Sequence, residues 1–387
     1  MTRIALTGDI HCDPYWDRRD PETGANLREQ DMLRTVAWVA REARERGADA
    51  LVVAGDYTEA KAVSKGRGPD PTRIAALRTA LLEGPERQIH VRGNHDLQRQ
   101  GKSIVTVLAG QPGWSGYEVP DFELVGDVAV CCIPFLDKAW WRAQPGNETK
   151  PEAVAFRELA ELYLVIAAGL YVQATEAGAG AAILVGHQQM PAELSETQRS
   201  FLGDVDLVVD PRALGAIGYA AVVFGHVHRA QTIVDDPACP VLFVGSPERV
   251  DFAEEGEEKS FVILDVEPGR PVAIERIPTP ARRFVTVSGE QPFGSHEELD
   301  AYVRDAIVRV VDLNPDADIA GWRGALQDAG AFAVTSIKRR PAEVPETVGG
   351  MSESMSAEEL LELDLAEHPD REALVTMGRA LLSEVAA

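Results

Sequence analysis

The chain has 387 residues, 45% of them hydrophobic, and a formal net charge of -24. Such a length can bury one large core and a smaller second one, so two domains and a tail are expected. The charge excludes long-range attraction of a polyanion by the molecule as a whole, so a nucleic-acid substrate would need local basic groups or bound cations. Cys12, Cys131, Cys132 and Cys239 form no C-x-x-C pair, and MTRIALTGDI reads as a strand rather than a signal peptide; a reducing cytoplasm fits best.

The first strand ends in ALTGDIH, at His11, and the same grammar recurs four times: LVVAGD to Asp56, HVRGNHD to Asp96, ILVGH to His187 and VVFGHVH to His228. An apolar β-branched run reads as a buried strand, and the glycine lets the backbone turn where the strand stops. Each strand thus delivers polar residues to one edge. Between them, Leu27 to Arg46 is an amphipathic helix closed by Gly47, Pro71 to Glu83 a second, and Pro151 to about Gln173 a third. Short strands without helices fill Asp127 to Pro134 and Val241 to Pro278. The expected fold class is α/β, with antiparallel strands added to a parallel core. Leu159 to Val185, the most apolar long stretch, is broken by Gln173, Glu176 and glycines and cannot span a bilayer as one helix, so a soluble protein with no membrane partner is expected.

Composition changes near Thr279. A strand over Arg283 to Ser288, a helix over Ser295 to Val311 with Glu298 at the capping-box position, and a strand over Ala331 to Lys338 predict a small α+β module. The boundaries are 1–278, 279–341, a Pro-, Gly-, Ser- and Glu-rich linker at 342–356, and a C-terminal segment at 357–387. That segment carries two amphipathic helical stretches, Ala357 to Ala366 and Arg371 to Val385, suited to folding back on the body or docking on a partner. Some of the acidic excess sits in runs such as Glu254 to Glu258 and in the last thirty or so residues, which can lie far from the active edge.

The residue types at the strand ends point to metal chemistry. Asp9 and His11, two apart, can face one side and share a cation, and His226 and His228 repeat that spacing. Asp56 can bridge two cations through its two oxygens. Asn94 is a neutral ligand, and His187 completes a cluster able to hold two divalent ions and activate water for in-line attack on phosphorus. Nitrogen and oxygen ligation without thiolate favours Mn²⁺, Fe or Zn²⁺ over Mg²⁺ or Ca²⁺. His90, His296 and His368 fall outside the pattern and read as structural, as does Cys12. Trp140-Trp141-Arg142 reads as packing rather than a base-stacking platform. Arg18, Arg19, Lys61, Lys65 and Arg67 are either local basic contacts for a substrate or solvated loop charge. Read this way, a phosphoesterase acting on small molecules and a non-catalytic scaffold both stay open, although a scaffold would be expected to lose ligands.

In this order, D-x-H, G-D, G-N-H-D, G-H and G-H-x-H resemble the signature of the calcineurin-like metallophosphoesterases. Within that superfamily, GSPERVDFAEEGEEKSF from Gly245 and IPFLDKAW from Ile133 resemble the SbcD-type DNA repair nucleases. The resemblance implies a sandwich of mixed sheets flanked by helices, with the module after Thr279 as a DNA-capping domain. It implies that Asp9, His11, Asp56 and His228 hold one Mn²⁺ and that Asp56, Asn94, His187 and His226 hold the other. His95 would act on the scissile phosphate, with Asp96 orienting its ring. It further implies DNA as substrate, a homodimer, and an SbcC-type SMC-like ATPase partner bound through helices after the linker. One departure is Glu59, where many relatives carry histidine.

Overall fold

Strands buried on both faces need no polar alternation; four of the five runs ending at the glycines have none, and in the fifth, Gln88 to Val91, the polar Gln88 and His90 are buried as well. In a computed structural model of the chain, the described residues are 1–13, 18–58, 70–96, 103–195, 198–199, 207–289, 295–339, 371, 374–377 and 379. They form two six-stranded sheets and one of three strands. The first sheet contains β1 (Thr2–Thr7), β2 (Ala50–Val53), β3 (Gln88–Val91) and β4 (Trp114–Tyr117), all parallel, with two antiparallel strands, β11 (Ser260–Val266) and β12 (Ala273–Pro278), added beside β1. The second has a parallel centre of β6 (Val128–Ile133), β7 (Ala181–His187), β8 (Ala221–Gly225) and β10 (Val241–Phe243), edged by antiparallel β5 (Asp121–Val125) and β9 (Gln231–Val234).

Alternation along each strand divides its side chains between two cores. Ile4, Leu6, Val52, Val130, Val185, Val223 and Leu264 meet between the two sheets. Ala5, Leu51, Val53 and Ile263 turn outward, under helices α1 (Leu27–Glu45) and α2 (Pro71–Leu81). On the far side, Leu184, Val222 and Phe224 pack beneath a 25-residue helix, Glu152–Glu176. The result is four layers, helix, sheet, sheet, helix. Each fully buried Val, Leu or Ile in them contributes roughly 1.5–3 kcal/mol. Trp141 belongs to the outer core beneath Glu152–Glu176, 4% exposed, with the Lys150 ammonium 5.1 Å from its ring centre. That is packing, as expected for Trp141; the Trp140 side chain lies outside the description.

The first two predicted helices begin at side-chain caps. Asn26 and Asp70 each accept backbone N–H groups at the N-termini of α1 and α2, and Pro71 occupies the first turn. The third module departs from expectation. Ser295 does cap a helix, accepting from Glu298 N–H, but that helix ends at Val303, and Ile307–Leu313 is a strand. Arg304 is extended and Asp305 is left-handed, at φ 57°, so the chain reverses there. The run IVRVV then follows strand preference, because β-branched residues suit a sheet better than a helix. A helix over Ile319–Asp328 and a strand over Ala333–Arg339 complete a parallel three-stranded sheet whose helical face is buried.

This module is fastened to the body. Phe284 stacks edge-on against Phe252 at 4.9 Å, and Thr286 N–H donates to Glu255 at 2.6 Å. Arg282 is paired with Asp31 of α1 and lies 3.6 Å from the centre of the Phe332 ring. The linker at 342–356 and most of the C-terminal segment lie outside the described residues, as do Glu59, Lys61, Lys65 and Arg67; residues 371, 374–377 and 379 are helical. Among the described residues no helix is long and apolar enough to cross a membrane.

Candidate metal centre

Five parallel strands, β1, β2, β3, β7 and β8, end at one rim of the sandwich, and their ends carry the expected ligands. Glycine is required there by close approach. A Cβ on Gly93 would lie 2.1 Å from Asp56 Oδ1, and one on Gly225 would lie 2.2 Å from the Ala54 carbonyl oxygen. Strain is also concentrated at the rim: Asp9, His11, Asp56 and His226 have φ of 51°, 45°, 57° and 89°. Non-glycine residues hold such angles only where the surroundings fix them, commonly at functional sites.

Two donor groups result. Asp9, His11 and His228 form one and Asp56, His187 and His226 the other, with donor atoms in each lying within 4.8 Å of one another. In the first, His11 Nε2 and His228 Nε2 face each other at 3.0 Å. In the second, Asn94 Oδ1 lies 2.9 Å from His187 Nε2 and 3.1 Å from His226 Nδ1. Asp56 stands between the groups, its Oδ2 at 3.3 Å from His187 Nε2 and 3.7 Å from His11 Nε2. The donor set fits a pair of divalent cations, since it joins imidazole nitrogens, carboxylates and an amide oxygen without thiolate. Cys12, although between ligands in sequence, is buried in the core under α1.

Charge within the site follows from burial and pairing. Burial works to raise Asp56, yet His187, His95 and His11 together hold its carboxyl well below the usual range. Burial works to lower His187, but Asp56 prevails, with Asp9 and the Ala54 carbonyl, and pushes it up to about 9. The Ala54 carbonyl oxygen lies 2.6 Å from His187 Nδ1, which leaves Nε2 for the site.

His95 stands outside both donor groups. Its ring meets that of His11 edge-on at 5.0 Å, Nε2 is 3.9 Å from Asp56 Oδ2, and the side chain is 27% exposed, so it lines the mouth. Asp96, next to His95 in sequence, is 2% exposed. Its carboxylate accepts N–H groups from Gly93, Asp56 and Tyr57, at 2.8 to 2.9 Å, and so clamps the loop after β3 to the loop after β2. Burial, then Asp56, pushes its carboxyl up to about 6.

Sequence patterns missed several groups around the ligands. Gln198 donates to the His226 carbonyl at 3.1 Å and accepts from His228 N–H at 3.3 Å, spanning the turn between them. Nothing in its neighbourhood marks it. Phe135 sets its ring centre 6.0 Å from that of His226 and 6.3 Å from that of His187. Glu254 does not lie far from the site, as its acidic run allowed: it is 1% exposed and reaches His228 Nδ1 at 2.8 Å. The apolar flanks Val250, Phe252 and Ala253 were the available signal that this acid turns inward.

The profile of the family described as calcineurin-like phosphoesterase matches residues 2–230, which takes in all five strand ends. The chain belongs to the calcineurin-like phosphoesterases. The family reading makes it a hydrolase of phosphoester bonds that uses divalent cations, and the two donor groups are where this phosphoesterase would hold them. Several solved structures are similar at low identity. A dimetal phosphatase from Danio rerio is 10% identical, with a TM-score of 0.45 over 72% of this chain and 96% of that one. The GAP50 anchor in the inner membrane complex of Plasmodium is 14% identical, with a TM-score of 0.41 over 72% and 84%. TT1561 of Thermus thermophilus is 14% identical, with a TM-score of 0.38 over 71% and 98%. No curated protein sequence gives a significant match.

Proposed function

We propose that this phosphoesterase is a Mn²⁺-dependent DNA nuclease, the SbcD-type subunit of a cytoplasmic repair or recombination complex, working as a homodimer with an SbcC-type ATPase. Asp9, His11 and His228 would hold one cation. Asp56, His187, His226 and Asn94 would hold the second, with Asp56 between them. Bound cations supply Lewis acidity toward a phosphoryl oxygen and lower the pKa of a water. The chain's own contribution is His95, which can carry a proton to the leaving oxygen from the mouth while buried ligands stay fixed.

The observation that carries the nucleic-acid reading is the seating of the module beginning at Phe284. Its first strand packs on Phe252 and Glu255, the turn whose Glu254 reaches the ligand His228. A body that needed to admit only a small substrate has little use for a second domain fastened beside its ligands. Mn²⁺ is favoured over Mg²⁺ because four imidazoles enter the donor groups.

The deciding assay sets purified protein and Mn²⁺ against end-labelled DNA, a cyclic nucleotide and a generic phosphodiester. Shortened DNA in Mn²⁺, and none in chelator, is expected. Turnover of the small esters alone would show that the substrate is not DNA.

A further inference from the structure

A buried ion pair desolvates two charges, and apolar residues of like volume often stabilise a fold as well or better. Lys259 and Glu254 nevertheless form such a pair, Nζ to Oε2 at 2.7 Å, each side chain 1% exposed. Glu254 Oε2 also accepts from Val250 N–H at 3.2 Å, and both members of the pair contact His228. Glu254 Oε1 lies 2.8 Å from Nδ1 of His228. A carboxylate paired with lysine is an acceptor, so the ring proton sits on Nδ1 and the Nε2 lone pair faces His11 Nε2, 3.0 Å away. Lys259 Nζ also donates to the His228 carbonyl oxygen at 3.2 Å and to Ser246 Oγ at 3.0 Å. Ser246 N–H donates to that same carbonyl at 3.0 Å. Glu257, 2.8 Å from Nζ, shares the lysine's charge near the surface.

We propose that Glu254 and Lys259 are positioning residues for one of the two cations: together they fix the backbone, ring plane and tautomer of His228, so that Nε2 is presented to the ion shared with Asp9 and His11. This rests on reading the rim as a two-cation centre and not on which phosphoester is cut. The other group is built differently. His187 Nδ1 is held by the neutral Ala54 carbonyl, so the carboxylate that strengthens an imidazole donor serves the His228 side. The acidic run therefore has an inner member acting on the site, while Glu255 and Glu257 hold neighbouring groups and Glu258 is exposed.

Calorimetric titration of Mn²⁺ into chelator-stripped, full-length protein tests this. The wild type should bind two ions per chain. Glu254→Gln should keep one at wild-type affinity and weaken the other about ten- to a hundredfold. Should Glu254→Gln not fold, E254Q/K259M removes both buried charges together and should show the same single weakened step. In Zn²⁺-loaded protein with ¹⁵N-labelled histidine, His228 should carry its proton on Nδ1 in the wild type, and that signal should shift or broaden in Glu254→Gln. Two steps unchanged within about threefold in a folded variant, or a His228 proton on Nε2, overturns the proposal. A wild type that binds fewer than two ions overturns the two-cation reading itself, and the proposal with it.

Discussion

A histidine that gives up a proton to a leaving group must meet the substrate, whereas one that holds a cation is best kept dry and fixed. The site separates its histidines this way, with the His187 and His11 side chains 0% and 2% exposed and that of His95 27% exposed. On the nuclease reading, His95→Ser should lower cleavage about 10²- to 10⁴-fold, the usual worth of a general acid. Because His95 lies outside both donor groups, the variant should still bind two Mn²⁺. Metal content and cleavage of end-labelled DNA check both halves, and retained cleavage would remove the assigned role. The residues of the two donor groups were legible in sequence because each lies within three residues of a glycine that ends a buried strand. Glu254 was not, because a count of charges cannot tell which carboxylate in EEGEE turns inward; that depends on where Lys259 and His228 meet in space.

At the scale of elements, β3 contains a histidine in a different condition. His90 is fully buried, with Nδ1 2.6 Å from the Tyr57 hydroxyl and the ring beside Trp114, and burial pushes its pKa down to about 3. An unfolded chain protonates this residue near 6.5, the ordinary value, while the folded strand resists until about 3. Stability from the neutral ring is therefore fully present above about pH 6.5 and declines below it, by about 1.4 kcal/mol per pH unit. Urea unfolding at pH 7 and pH 5 should show this slope in the wild type and a shallower one in His90→Gln. Equal slopes would mean that His90 titrates normally. Strands such as β2, β7 and β8 could be read in sequence because burial on both faces leaves an apolar run that a glycine stops. The helix from Ser295 was readable at its start, where the cap is a local signal, and not at its end. There a left-handed Asp305 and pairing of Ile307–Leu313 between two other strands override helical continuation.

At the scale of the molecule, the net charge of -24 opposes a polyanionic substrate, and its distribution bears on how DNA would reach the rim. Residues 342–387 carry eleven carboxylates against two arginines, and so nine of those net negative charges. A segment proposed to bind an ATPase partner would also repel DNA from the isolated subunit, and docking on that partner would take this charge out of the approach path. Repulsion between exposed charges fades beyond a Debye length, roughly 10 Å at 0.1 M salt, so its effect belongs to low ionic strength. Deleting residues 342–387 should leave Mn²⁺-dependent cutting intact, because every donor in the two groups lies between Asp9 and His228. It should lower KM for DNA at low salt, with the difference shrinking as salt rises, and it should abolish co-purification with the ATPase. Matched KM values across the salt series would show that the tail's charge does not govern approach. Retained co-purification would show that the partner binds the body instead.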